Sequence, residues 1–170
     1  MRKIGQIFRF LIPVIALVAL VVFMTGAGRR RRAKVEEMRA LAQRAFEAWN
    51  TGNMDLFDEV YAPDFVRHSP GAPFGDEDLE ALKQRALSLQ KDWPGFQLPM
   101  DEHIIGHELD RAVVRWTWRW TNPDTGKEVI MTGCTVSHLG ADGKIVEEWE
   151  YNDWLGLWQQ LGFKLVPPEE

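Results

Sequence analysis

Hydrophobic and polar positions change their rhythm three times along the chain. Phe10–Gly28 reads FLIPVIALVALVVFMTGAG, 19 residues without a charge. No polar face exists around that cylinder, so a buried core helix does not fit it. At about 1.5 Å per residue it nearly spans a hydrocarbon core of roughly 30 Å. From Val35 the pattern becomes amphipathic: Val35, Met38, Leu41, Ala42, Ala45, Phe46 and Trp49 fall at helical spacing. Gly52 stops that helix and Asn53 caps the next, Asp55–Tyr61, which Pro63 ends. Asp64–Ser69 is a short extended piece before a Pro/Gly loop, and Asp76–Leu89 is a third helix with acids in its first turn.

After Pro94 the period drops to two. Phe96–Ile105, Ala112–Thr121, Glu128–His138 and Lys144–Tyr151 read as strands joined by short turns, with Asp142-Gly143 the strongest hairpin signal. Consecutive strands with short turns predict an antiparallel meander. Asp153–Leu161 closes the chain as a short helix. The expected fold class is α+β, a sheet with helices on one face. The expected organisation is a membrane anchor and polybasic flank over 1–34, a folded domain over 35–165 and a tail over 166–170.

Charge sharpens the division. Residues 1–34 hold eight cations and no acid, whereas 35–170 carry 12 cations against 25 acids, a net charge of −13. So acidic a domain repels a phosphate backbone, which excludes nucleic-acid binding. Arg29–Arg32 directly after the apolar run behave as a stop-transfer signal, favouring a retained single-pass anchor over a cleaved signal peptide. Flanking cations tilt the folded domain toward the cytoplasm, in keeping with the single Cys134.

Strand alternation nominates the chemistry. Trp116, Trp118 and Trp120 share one face of their strand, and Arg115 and Arg119 take the other, convex face, a surface available for homodimerisation. The tryptophans are core or the apolar wall of a small-molecule pocket. On the last strand the alternation groups Ile145, Glu147, Trp149, Tyr151 and Asp153. Asp153 reads either as a carboxyl with raised pKa or as the N-cap of the final helix. His68, at a strand end before Pro70, suits a site at the sheet rim. His103 and His107 are four apart, but Gly106 stands between them in strand-like sequence, so no metal is expected. An epoxide-hydrolase-like activity would need an Asp–Arg–Asp set lining one pocket; Arg115 and Arg119 point away.

Residues 45–70, AFEAWNTGNMDLFDEVYAPDFVRHSP, and 142–162, DGKIVEEWEYNDWLGLWQQLG, resemble the SnoaL-like polyketide cyclase and ester cyclase family. The resemblance implies an NTF2-like cone, a curved antiparallel sheet wrapped around a pocket roofed by helices. It implies cofactor-free acid/base cyclisation by intramolecular aldol closure, or an isomerisation, with Asp153 as acid/base and His68 as pocket histidine. Trp49 and Asn50 would bind substrate, joined by Trp116, Trp118, Trp149 and Tyr151. A ring closure of this kind needs a base, a donor for the carbonyl oxygen and a dry pocket, but no cofactor or metal. The alternative is a non-catalytic binding or scaffold module on the same fold.

Overall fold

The structure is a computed structural model that describes the backbone of residues 2–166 and the side chains of residues 26–166. The chain divides into two units, one ending at Glu37 and the other beginning at Met38. The first unit is helical and belongs to α1 (Arg2–Thr51). The apolar run 10–28 falls mainly on residues whose side chains lie outside the described set. Among the described residues, no helix is long and apolar enough to cross a membrane.

The second unit carries the expected α+β fold. The remaining helices are α2 (Met54–Val60), α3 (Leu79–Asp92) and α4 (Trp154–Gln160). Each begins on a side-chain cap that satisfies an otherwise orphaned amide. Asn53 accepts from Asp55 N at 3.1 Å, Asp78 from Ala81 N at 2.8 Å and Asp153 from Gly156 N at 2.8 Å. The third helix starts later than its acids suggested. Glu77–Asp78 is first used as β2, which pairs with β1 (Tyr61–His68).

Four longer strands follow: β3 (Met100–Ile105), β4 (Arg111–Thr121), β5 (Glu128–Leu139) and β6 (Ile145–Asn152). The sheet order is β2-β1-β6-β5-β4-β3. The expected meander holds for β3 to β6, but the sheet is mixed, because β1 lies parallel to β6. A parallel pair needs a long crossover, and the chain between them, through α3 and four strands, supplies it.

One face of the sheet carries the core. Trp116, Trp118 and Trp120 are all buried on it. Trp118 sits 6.2 Å from the Trp49 ring of α1, and Trp93 stacks on Trp120 at 4.2 Å. Arg115 and Arg119 lie on the opposite face, paired with Asp101 and Glu128.

One irregularity decides which residues of β6 face the core. Leu139 pairs with Ile145, but the next residue of β5, His138, pairs with Glu147. Val146 is therefore an extra residue, a bulge that reverses the alternation beyond it. Ile145 still points inward, but Glu148 and Glu150 follow it, and Glu147, Trp149 and Tyr151 turn outward. The expected grouping of Ile145 with Glu147, Trp149 and Tyr151 is corrected here.

Candidate functional site

A cavity lies between the α1 residues from Met38 onward and the core-bearing face of the sheet. Its body is apolar: Leu41 and Ala45 of α1 face Trp116 and Trp118 of β4, with Trp49 at one side. Trp116 is held in place by its indole N–H, which donates to Thr135 Oγ1 at 2.9 Å. The free space is about 50 Å³. Most lining residues are buried; Phe46, His103 and Leu139 are the half-buried ones and mark its open side.

The polar wall is built by strand register. β1 places Arg67 directly opposite Glu148, with Arg67 3% exposed, Glu148 4% and Glu150 5%. Arg67 Nη2 and Nε donate to Glu148 Oε2 at 2.6 and 3.2 Å, and Nη1 lies 3.3 Å from Glu150 Oε2. Ser137 Oγ donates to Glu148 Oε1 at 2.9 Å, and Asn152 Nδ2 donates to Glu150 Oε1 at 3.0 Å. The guanidinium also stacks over Trp49, 5.1 Å from its ring centre. Two carboxylates thus share one cation in a water-poor pocket, where charges are costly unless paired and hydrogen-bonded.

That sharing sets the proton affinities. Burial pushes the Glu148 carboxyl above its ordinary value of 4.5, outweighing Arg67 and the hydrogen bonds from Arg67 and Ser137. Burial alone would make Arg67 a stronger acid, but the combined pull of Glu150 and Glu148 reverses this and holds it firmly protonated. The cation gains from both acids, and each acid has only a share of the cation. Burial, then the charge of Glu148, drives the Tyr61 hydroxyl well above its ordinary range. It therefore remains a neutral phenol that can donate. On the open side His103 is pushed below its ordinary 6.5 by burial and by Arg39. Its Nε2 is buried and makes no hydrogen bond. A buried polar atom without a protein partner is uncommon in a folded protein, and this one belongs to a residue that lines the cavity.

Of the residues nominated from sequence, Trp49, Trp116 and Trp118 meet in this cavity. His68 and Asp153 do not line it. His68 packs against Trp149 with ring centres 4.3 Å apart, and its nitrogens lie 2.9 Å from Asp76 and 3.2 Å from Glu147. Asp153 is an exposed residue whose carboxylate caps α4. Trp149 and Tyr151 are 36% and 49% exposed, on the far side of the sheet from the cavity. The bulge at Val146 accounts for both, since alternation without it would have brought them inside.

Asn50 is a clamp beside the cavity. Its Nδ2 donates to the Phe46 and Leu98 carbonyls at 2.8 and 3.0 Å, and its Oδ1 accepts from Leu98 N at 2.7 Å. The clamp ties the end of α1 to the segment before β3.

The residues that sequence reasoning passed over are Arg67, Tyr61, Ser137, Glu148 and Glu150, and His103 was weighed only as a metal ligand. One signal was present: Glu148 and Glu150 are two apart and must share a strand face. Among the described residues, no group of three or more His, Cys, Asp or Glu is placed to hold a metal ion.

Comparison with known proteins agrees with this architecture. No curated protein matches the chain. Among solved structures, a candidate polyketide cyclase from Bacillus cereus is 30% identical, with a TM-score of 0.63 over 74% of this chain and 80% of its own. IdmH, a candidate polyketide cyclase from Streptomyces antibioticus, is 26% identical, with a TM-score of 0.64 over 74% and 99%. A candidate polyketide cyclase from Acidithiobacillus ferrooxidans is also 26% identical, with a TM-score of 0.61 over 74% and 94%. The family model described as SnoaL-like polyketide cyclase matches residues 39–161, from the first turns of the cavity helix to the end of α4. With the helices, the mixed sheet and the cavity between them, that match means that the chain belongs to the SnoaL-like polyketide cyclase family.

Proposed function

We propose that the domain binds a small, mostly apolar molecule in the cavity and performs cofactor-free acid/base chemistry on it, of the kind used in aldol-type ring closure or isomerisation. The observation that carries this is the buried Arg67–Glu148–Glu150 set opening onto tryptophan walls. A carboxyl with raised proton affinity is a better base when ionised and a usable acid when protonated. Glu148 takes the proton from the carbon next to a carbonyl. Arg67 and Ser137 hold its two oxygens in place. Tyr61, kept neutral, donates to the oxygen on which negative charge develops. His103 Nε2 supplies a further polar contact at the open side.

We further propose that residues 10–28 anchor this domain in a membrane, with the domain on the cytoplasmic side. The 19 uncharged residues and the four arginines after them support it. Retention in the membrane fraction through a carbonate wash is expected; release of the full-length chain would contradict it.

The same guanidinium favours a second reading. Hydrolytic opening of an epoxide wants one acid to protonate the ring oxygen and a second to take a proton from water. The arginines considered from sequence pointed away, but Arg67 bridges Glu148 and Glu150 inside the cavity. Mass spectrometry of a co-purified molecule, followed by incubation with unaltered and Glu148→Gln protein, tests both readings. A ring closed without added water supports the first, and a diol supports the second. A molecule bound but unchanged by the unaltered protein identifies a binding module. An active Glu148→Gln variant would remove Glu148 from the mechanism.

A further inference from the structure

The ionisable residues lining the cavity are Tyr61, Arg67, His103, Glu148 and Glu150. Tyr61 is neutral, because burial holds its proton. His103 is neutral near pH 7, because burial and Arg39 oppose its charging. What remains is one guanidinium between two carboxylates, a net charge of −1 when both acids are ionised. Among the described residues, no other Lys or Arg lines the cavity.

The acceptors are not saturated. A carboxylate offers about four lone-pair sites. Toward protein side chains, Glu148 Oε1 accepts from Ser137 and Glu150 Oε1 from Asn152, so each oxygen retains accepting capacity. The apolar walls also suit a cation. Trp49, Trp116, Trp118 and Tyr61 line the cavity, and the Trp49 face already holds the Arg67 guanidinium. A neutral ligand would leave the excess negative charge buried without a counter-charge, at a cost in free energy. A ligand with one positive charge removes that cost.

We propose that the molecule this cavity takes is a small organic cation, whose alkylammonium head meets Glu150 and whose apolar part lies against Trp116 and Trp118, leaving Glu148 to the chemistry. This names the ligand class for the small-molecule reading above and rests on it. It also couples binding to protons. The groups facing Glu148 are Arg67 from β1, Ser137 from β5, Glu150 beside it on β6, and Tyr61. Of the groups around it, only a proton on a glutamate can cancel the excess charge, so proton and ammonium compete.

The test uses the full chain in detergent micelles, with n-propylammonium and the neutral 1-propanol as probes. Binding is read from the indole N–H resonances of Trp116 and Trp118. At about pH 7.5 the ammonium should bind at least about tenfold more tightly than the alcohol, and the margin should shrink toward about pH 5. Glu150→Gln should abolish the margin between the two probes; if that variant does not fold, the pH comparison on the unaltered chain decides. An alcohol that binds as tightly as the ammonium overturns the charge proposal and leaves the small-molecule reading intact. If neither probe moves the resonances, both fall.

Discussion

Arg67 and Glu148 meet at 2.6 Å with both side chains buried, although 81 positions separate them in the chain. The parallel pairing of β1 with β6 sets them opposite one another, so the contact follows from the topology rather than from chance side-chain reach. Removing the cation strands two buried carboxylates. Arg67→Met should therefore destabilise the domain by about 3–5 kcal/mol. Glu148→Gln, which leaves Arg67 paired with Glu150, should cost no more than about 1–2 kcal/mol. Thermal melts of the two variants check the asymmetry, and equal losses would contradict it.

Stability should depend on pH through the same pair. Because the folded Glu148 carboxyl holds its proton above 4.5, its contribution is full below that value and is lost as pH rises through the folded value. The melting temperature of Glu148→Gln relative to the unaltered chain should therefore rise as pH is raised from about 4.5 toward neutrality. His103 runs the other way. Its folded value is depressed, so its contribution is full above 6.5 and is lost as pH falls. His103→Gln should remove that acid-side loss, and a melt series across pH separates the two slopes.

Gly133 is the other side of the Trp116 seat. A Cβ there would lie 2.5 Å from the Trp116 ring and 2.7 Å from the Tyr151 carbonyl oxygen. The carbonyl belongs to the neighbouring strand, so both the ring and the β5–β6 backbone spacing must give. Gly133→Ala should cost about 1–3 kcal/mol and shift the Trp116 indole resonance, because the ring is pushed toward the cavity. An unshifted resonance in a fully stable variant would contradict that packing.

Asp153 should behave as a cap. Asp153→Asn should melt within a few tenths of a kcal/mol of the unaltered chain, whereas Asp153→Ala should lose about 1 kcal/mol. Neither should alter ligand binding in the cavity, which titration with a bound ligand checks. A loss of binding with Asp153→Asn would return this residue to the site.

The parts of the fold that were legible in the sequence are those governed by local rules. Helical spacing from Val35 to Trp49, the Asn53 and Asp153 caps and the period-two strands after Pro94 each follow from neighbouring residues. The inward face of Trp116, Trp118 and Trp120 was legible for the same reason, since β4 and β5 pair without interruption over their length. The polar wall was not. Its residues depend on a bulge at Val146, which alternation cannot register, and on a parallel pairing between segments far apart in sequence. Once Ile145 is set inward, uninterrupted alternation turns Glu147, Trp149 and Tyr151 the same way and hides Glu148 and Glu150. Arg67, in turn, has no local signal that separates a buried arginine from an exposed one.

The measurement closest to the central claim is a carboxyl NMR titration of protein labelled with ¹³C at Glu Cδ, with Glu148 and Glu150 assigned by their Gln variants. Glu148 should titrate above its ordinary 4.5, as a proton-carrying group in an apolar cavity must. A Glu148 that titrates at or below that value would be a fixed counter-ion to Arg67, and the acid/base role proposed for it would not stand.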